Sequence, residues 1–243
     1  MKNTVIIIPA RLSAKRFPGK PLAKIKGLPM IVHTINRAKK SMVGEVVVAT
    51  PDNEIVEVVE KNGSRAILTQ HDHLSGSDRV YEVYQKNFGN NADLIFNVQA
   101  DNPLCDPNSI SKLEKHMRKN NCSSVGTLAS SLNQDEINNE NVVKVEVAEY
   151  LKEDSFLKAK DFFRIKKDSK NQKIYHHIGI YAYNKEILKE YVNLKRTTLE
   201  VERKLEQMRF IQNNIEILVA YCHSNALSVD TREDLNRLEK EMG

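Results

Sequence analysis

Four cations fall within ten residues near the amino terminus: Arg11, Lys15, Arg16 and Lys20, in the segment Pro9–Leu22, PARLSAKRFPGKPL. Gly19 allows a close backbone approach there, and the prolines stiffen the path. Such a loop suits a triphosphate, whose charge needs fixed donors and cations. Composition alone does not choose between that reading and an exposed basic loop. The segment carries neither a P-loop nor the glycine fingerprint of dinucleotide binding. A second cluster is FNVQADNP, Phe96–Pro103, in which an apolar run leads through Gln99 into Asp101. A carboxylate in that position can hold Mg2+, which takes few protein oxygens and completes its shell from phosphates and water. A helix cap or turn aspartate is the ordinary alternative. The third is VDTREDL, Val229–Leu235, where Asp230 follows an apolar stretch and precedes a helix. Taken by itself, Asp230 reads as a cap sooner than as a metal ligand.

These groups need elements to hold them. Short apolar runs alternate with helical periodicity from the start. Strands are expected at 4–8, 45–49, 65–68 and 94–98, and helices at 30–40, 54–60, 77–86 and 108–118. Continuous apolar strands separated by helices predict a mostly parallel sheet with helices on both faces. Ligands bind beyond the carboxyl ends of such strands, where both the basic loop and Asp101 fall. Beyond about Leu128 the pattern changes. Strands are expected at 142–147, 177–183 and 215–220, and helices at 199–209 and 232–242, while 158–173 is basic and shows no clear period. The expectation is a single α/β domain over 1–243, with about 142–200 as a smaller β-rich subregion.

The bulk composition bounds the function. The chain has 243 residues, 37 basic against 32 acidic, for a net charge of +5. That bias suits anionic small ligands and is too diffuse to argue for nucleic acid. Cys105, Cys122 and Cys222 are odd in number and widely spaced, which points away from a disulfide framework or a zinc site. They read as reduced thiols. No stretch approaches a membrane span, and the first apolar run stops at Pro9, too soon for a signal peptide. A cytoplasmic protein is expected.

The chain resembles the 3-deoxy-manno-octulosonate cytidylyltransferases, the CMP-sugar-acid synthetases of lipopolysaccharide synthesis. Eight strings carry the resemblance in order: IIPARLSAKRFPGKPL, VVVATPDNEI, HLSGSDR at His73–Arg79, NVQADNPL, NVVKV at Asn141–Val145, HIGIYAY at His177–Tyr183, LEVERKLEQMR at Leu199–Arg209, and VDTREDL. The resemblance implies a nucleotide-diphospho-sugar transferase-like fold with a β-rich dimerisation element, and a homodimer. It implies that Arg11 and Lys20 grip the triphosphate of CTP, in the loop whose other cations Lys15 and Arg16 are also expected to bind the nucleotide, with the SGSDR stretch, including Ser77 and Arg79, and Gln99 on the nucleotide side. Asp101 and Asp230 would hold a catalytic Mg2+, and with Lys20 they would carry the catalysis. Lys160, His177, Tyr181, Glu206 and Gln207 would bind a 2-keto sugar acid. His177 and Tyr181 also fit as ordinary polar residues of a core.

The chain departs from the family pattern at several points. Ala14 and Lys15 replace the usual Ser-Thr pair of the first loop, with Ser13 displaced. Ala100 and Asn102 replace a glycine and a glutamate around Asp101. Pro51 stands where the family has an aspartate, followed by Asp52. No segment matches the arginine that helps hold the sugar, and Lys160 is the best-placed cation. Two other readings compete: a cytidylyltransferase for a related sugar acid, and a non-catalytic nucleotide-binding protein on the same fold. The first loop lacks the glycine-serine richness of the sialate branch, and both aspartates are retained, which argues against binding alone.

Overall fold

The computed structural model describes residues 3–14, 16–89, 91–119, 124–165, 173–223 and 228–241. The chain gathers into two compact units, one of residues 1–111 with 226–243, the other of residues 112–225. The first unit begins with β1 (Thr4–Pro9), followed by the short antiparallel pair β2 (Lys24–Ile25) and β3 (Leu28–Pro29). It continues with α1 (Met30–Lys40), β4 (Glu45–Thr50), α2 (Asn53–Lys61), β5 (Arg65–Leu68), α3 (Gly76–Asn87) and β6 (Leu94–Val98). The division between units falls within α4 (Pro107–Lys119).

The strands of the first unit lie in the order β5-β4-β1-β6, and every pairing is parallel. All six residues of β1 and all five of β6 are buried. Successive side chains point to opposite faces, so complete burial means that both faces are covered. The helices α1, α2 and α3 pack on these strands. The chain steps outward from β1 to β4 and β5, then returns through α3 to place β6 on the other side of β1. The direction of winding therefore reverses at β1, and the crevice beyond its carboxyl end is where such sheets take ligands.

The second unit holds β7 (Val125–Ser130), β8 (Lys144–Val147), β9 (Phe156–Phe163), β10 (Ile174–Asn184), α5 (Lys185–Asn193), α6 (Thr198–Arg203), α7 (Met208–Gln212) and β11 (Ile217–Tyr221). Its strands run β10-β7-β11-β9-β8, and β8 pairs again with β10, which closes the circuit. Among the described pairings of this unit, β7 with β11 alone is parallel. The β-rich character expected for 142–200 thus belongs to a wider unit that also takes in β7 and β11. The chain ends in α8 (Arg232–Glu241), back in the first unit.

One expected element is different. Residues 199–209 do not form one helix; α6 ends at Lys204, whose φ is 54°, and α7 starts at Met208. The cause is the buried ion pair Glu200–Arg209, in which Arg209 Nε and Nη2 donate to the two carboxylate oxygens at 2.8 and 2.6 Å. In a continuous helix nine residues rise about 13.5 Å and end on the opposite side, so the pair cannot form. The break brings it together.

Candidate active site

The basic loop is built from backbone inward. Leu12 N–H donates to Asp52 Oδ2 at 2.7 Å, and Gly19 N–H donates to the Leu12 carbonyl at 2.9 Å, so the loop doubles back on itself. Gly19 takes φ 72°, a left-handed conformation that only glycine adopts freely, and caps the single 3-10 turn Lys20–Leu22. Phe17 anchors the loop in a small core with Ile25, Met30, Val229, Leu235 and Leu238. That core ties the loop to the chain around Asp230.

The turn that carries Asp101 is held by α1. Thr34 Oγ1 donates to the Ala100 carbonyl at 3.0 Å, and Arg37 Nε donates to the Cys105 carbonyl at 2.9 Å. Val229 N–H donates to the Asp101 carbonyl at 3.0 Å, which brings the Asp230 segment alongside. Neither aspartate is a helix cap. Asp106 takes that role for α4, accepting from Ser109 N–H at 3.0 Å. Thr231 and Asp234 cap α8 reciprocally, with Asp234 N–H donating to Thr231 Oγ1 and Thr231 N–H to Asp234 Oδ2. The carboxylates of Asp101 and Asp230 instead converge on Lys20, whose ammonium donates to them at 2.7 and 3.3 Å. Arg16 Nη2 reaches Asp230 at 3.1 Å. Burial alone would pull the Lys20 ammonium down; the nearby carboxylates, Asp101 before Asp230, outweigh it and hold the group above the usual lysine value.

These groups line one cavity of about 430 Å3 within the first unit. Arg11, Arg16, Lys20, Arg79, Gln99, Asp101 and Asp230 all face it. Lys15 lies outside the described residues. Ser77 is buried beneath the wall. It accepts from Asn97 Nδ2 at 3.5 Å, and Asn97 in turn accepts from Gln99 Nε2 at 2.9 Å. Arg79 is turned to the loop after β5, donating to Thr69 Oγ1 and to the Gln70 carbonyl at 2.9 Å. Burial lowers its pKa, with Arg11 adding to the effect. His73 meets Glu82 at 2.5 Å. Burial would raise the Glu82 carboxyl, but hydrogen bonds from Lys86, His73 and the Gln70 N–H bring it to about 2.

Ser75 and Gly76, at the head of the SGSDR stretch expected on the nucleotide side, line the cavity at the start of α3, while Asn97, for which the sequence offers no role, lies behind Gln99. Ser75 and Asp78 form a capping box, which marks a helix N-terminus. Such a terminus favours anions.

The remaining predicted residues belong to the second unit. His177 is buried on β10, with Nε2 3.0 Å from Thr127 Oγ1. Thr127 Oγ1 donates to the Ile180 carbonyl at 2.8 Å, so it accepts from His177 and Nε2 carries the proton. Tyr181 is buried beside His177, at 5.4 Å between ring centroids, just past a bulge in the β10–β7 ladder. Glu206 and Gln207 occupy the turn between α6 and α7, with Gln207 buried. Lys160 is exposed on β9 as the extra residue of a bulge, since Glu146 pairs with Asp161 and Val147 with Ala159. Among the described contacts none joins Lys160 to His177.

Burial pushes the His177 imidazole down to about 3, and His176 adds to the shift. The unfolded chain protonates this residue near pH 6.5, so between about 6.5 and 3 the unfolded state binds the extra proton. Folding stability therefore falls as pH drops through that window, by about 1.4 kcal/mol per pH unit for this one group. His177→Gln should flatten that slope. Urea unfolding at pH 7 and pH 4.5 checks it, and an unchanged pH dependence would show that the imidazole is not held neutral.

The cavity supplies two hard carboxylate oxygens within reach of one cation. Among the described residues no cluster of three or more His, Cys, Asp or Glu could cage a metal. Two carboxylates fit Mg2+, which draws its other ligands from phosphates and water. They would hold such an ion at the end of β6 and before α8.

A parallel α/β unit with a cationic loop and paired carboxylates beyond the ends of its strands is suited to a nucleotide and its phosphates. Residues 5–217 match the cytidylyltransferase family. The chain is 41% identical to a 3-deoxy-manno-octulosonate cytidylyltransferase of Thermodesulfovibrio yellowstonii, covering 98% of this chain and 97% of that one. It is 38% identical to a Bartonella bacilliformis protein of the same name, with 97% of both covered. Among solved structures it is similar to a CMP:2-keto-3-deoxy-manno-octonic acid synthetase complexed with CTP, with a TM-score of 0.88 and 34% identity over 100% of this chain and 98% of that one. The chain belongs to the cytidylyltransferase family. Among the described residues no helix is long and apolar enough to cross a membrane.

Proposed function

We propose that this protein transfers the cytidylyl group of CTP to 3-deoxy-manno-octulosonate, giving the CMP-sugar and pyrophosphate for lipopolysaccharide or other surface-glycan synthesis. The observation that carries the reading is the convergence of Asp101 and Asp230 on one cation in a cavity walled by Arg11, Arg16 and Lys20. The sugar's anomeric hydroxyl attacks the α-phosphorus of CTP; the new O–P bond forms as the bond to the bridging oxygen breaks, and the hydroxyl proton is released. Asp101 and Asp230 would hold Mg2+, which would supply charge neutralisation at the triphosphate. Arg11, Arg16 and Lys20 orient the phosphates, and the chemistry rests on positioning and charge more than on covalent help from the protein. Gln99, the Ser77–Asn97 pair below it and Arg79 form the nucleotide side. Lys160, His177, Tyr181, Glu206 and Gln207 bind the sugar acid. Pyrophosphate release with CTP and a panel of 2-keto sugar acids tests the reading: 3-deoxy-manno-octulosonate should give the highest kcat/KM, and preference for another acid would reassign the substrate.

The protein acts in the cytoplasm as a homodimer. The buried thiols Cys105 and Cys222 support the first statement. The second unit leaves Ile137, Tyr150, Ile165 and Val201 exposed, and closed twofold pairs are the commonest assembly. Light scattering at micromolar concentration should give twice the chain mass of 27.8 kDa. A monomer mass would remove the dimer.

A further inference from the structure

Tyr191 is wholly buried on α5, yet its hydroxyl is turned to the break between α6 and α7. It stands 3.3 Å from the Glu206 carbonyl and 3.3 Å from Glu206 Oε2. One proton shared between two oxygens of the same residue fixes both the backbone and the carboxylate of Glu206. The ring cannot drift. It stacks on Phe210 at 4.2 Å between centroids, and the Arg209 guanidinium lies 4.4 Å from its centroid. Arg209 is itself clamped by both oxygens of Glu200, which also accepts from Arg196 Nε at 3.1 Å. A buried ion pair of this kind is a poor source of stability but a good source of fixed geometry. The same pair creates the helix break in which Glu206 sits, so the sequence from Leu199 to Arg209 builds both the turn and its support.

We propose that Tyr191 is a positioning residue for sugar-acid recognition, acting through the Glu206 carboxylate, with the Glu200–Arg209 pair holding the tyrosine ring in place. The proposal rests on the reading of Glu206 as a sugar contact. A carboxylate that must accept from a sugar hydroxyl binds best when its rotamer is already set, because ordering it on binding costs affinity. Tyr191 supplies that setting from behind, out of reach of the ligand's own contacts.

Tyr191→Phe keeps the ring and its stacking and removes only the hydroxyl. Steady-state kinetics with CTP and 3-deoxy-manno-octulosonate are measured for the wild type, Tyr191→Phe, Glu206→Gln and the double variant, with thermal melting alongside. Tyr191→Phe should raise KM for the sugar acid about threefold to tenfold, leave KM for CTP and the melting temperature nearly unchanged, and add little to Glu206→Gln. If Glu206→Gln impairs the sugar acid but Tyr191→Phe does not, the positioning role is lost while the sugar contact stands. If Glu206→Gln leaves the sugar KM unchanged, the reading of Glu206 fails and takes this proposal with it. If Tyr191→Phe lowers the melting temperature and raises both KM values together, the hydroxyl serves the fold in general and the proposal is overturned.

Discussion

Asp101→Asn and Asp230→Asn should each lower kcat at saturating Mg2+ by roughly a hundredfold or more, about 3 kcal/mol of transition-state stabilisation. On the proposed reading each change removes an anionic oxygen from a hard cation that, among the described residues, would have these two carboxylates as its protein ligands. The loss is large because the transferring phosphoryl group concentrates negative charge where the ion would sit. The fold should survive. Asp101 and Asp230 keep 25% and 21% of their side chains exposed, and their structural partners hold them through backbone groups, Val229 N–H on the Asp101 carbonyl and Asp234 on Asp230 N–H. Each variant also strips one carboxylate from Lys20, which should cost no more than a modest fall in melting temperature. Rates near those of the wild type in both variants would contradict the assignment.

Lys20→Ala should raise KM for CTP and slow turnover, with kcat/KM falling on the order of tenfold or more. A charge-assisted hydrogen bond is worth roughly 1.5–3 kcal/mol, which sets that scale. The position leaves little room for compensation. Gly19 turns the chain so that Lys20 opens the 3-10 turn at the cavity, and the ammonium is a compact charge suited to a phosphate oxygen. Arg16 reaches the same carboxylate from an exposed position and is less confined. Titrating CTP against the variant gives the test. A normal CTP response would remove Lys20 from the phosphate grip and leave it as a partner of the aspartates alone.

The first unit is legible in the sequence because its strands are continuous apolar runs. Arg65–Leu68 and Leu94–Val98 fall where the pattern puts them, and β1 and β4 run one residue longer. The second unit resists the same reading for local reasons. The bulge at Lys160 breaks the alternation of β9, so a strand with Phe162 and Phe163 buried looks like an aperiodic basic stretch. The strand β7, VGTLAS, is fully buried but rich in small residues and interrupted by Thr127; that threonine is satisfied by His177 and the Ile180 carbonyl, which only the folded pairing supplies. The helix break after Arg203 depends on a pair nine residues apart that a helical period hides.

The site divides in the same way. The cations of the first loop are visible as a type of chemistry, and so are the two aspartates one by one. Their convergence is not, because Asp101 and Asp230 lie far apart in the chain and each is close to a residue that does the capping, Asp106 and Thr231. What joins them is a backbone hydrogen bond from Val229 to Asp101 and a small core around Phe17. Asp52, the neighbour of a departed family aspartate at Pro51, proves to hold the first loop through Leu12 N–H.

Asp101, Asp230 and the first loop are proposed to support metal-dependent cytidylyl transfer. Its most direct test is pyrophosphate release from CTP and 3-deoxy-manno-octulosonate by the purified protein, before chelation, after EDTA, and after Mg2+ is restored. Pyrophosphate should form in equal amount to the CMP-sugar, its release should be abolished by EDTA, and Mg2+ should restore it fully. Release that persists in EDTA, or none at all with Mg2+ present, would contradict it.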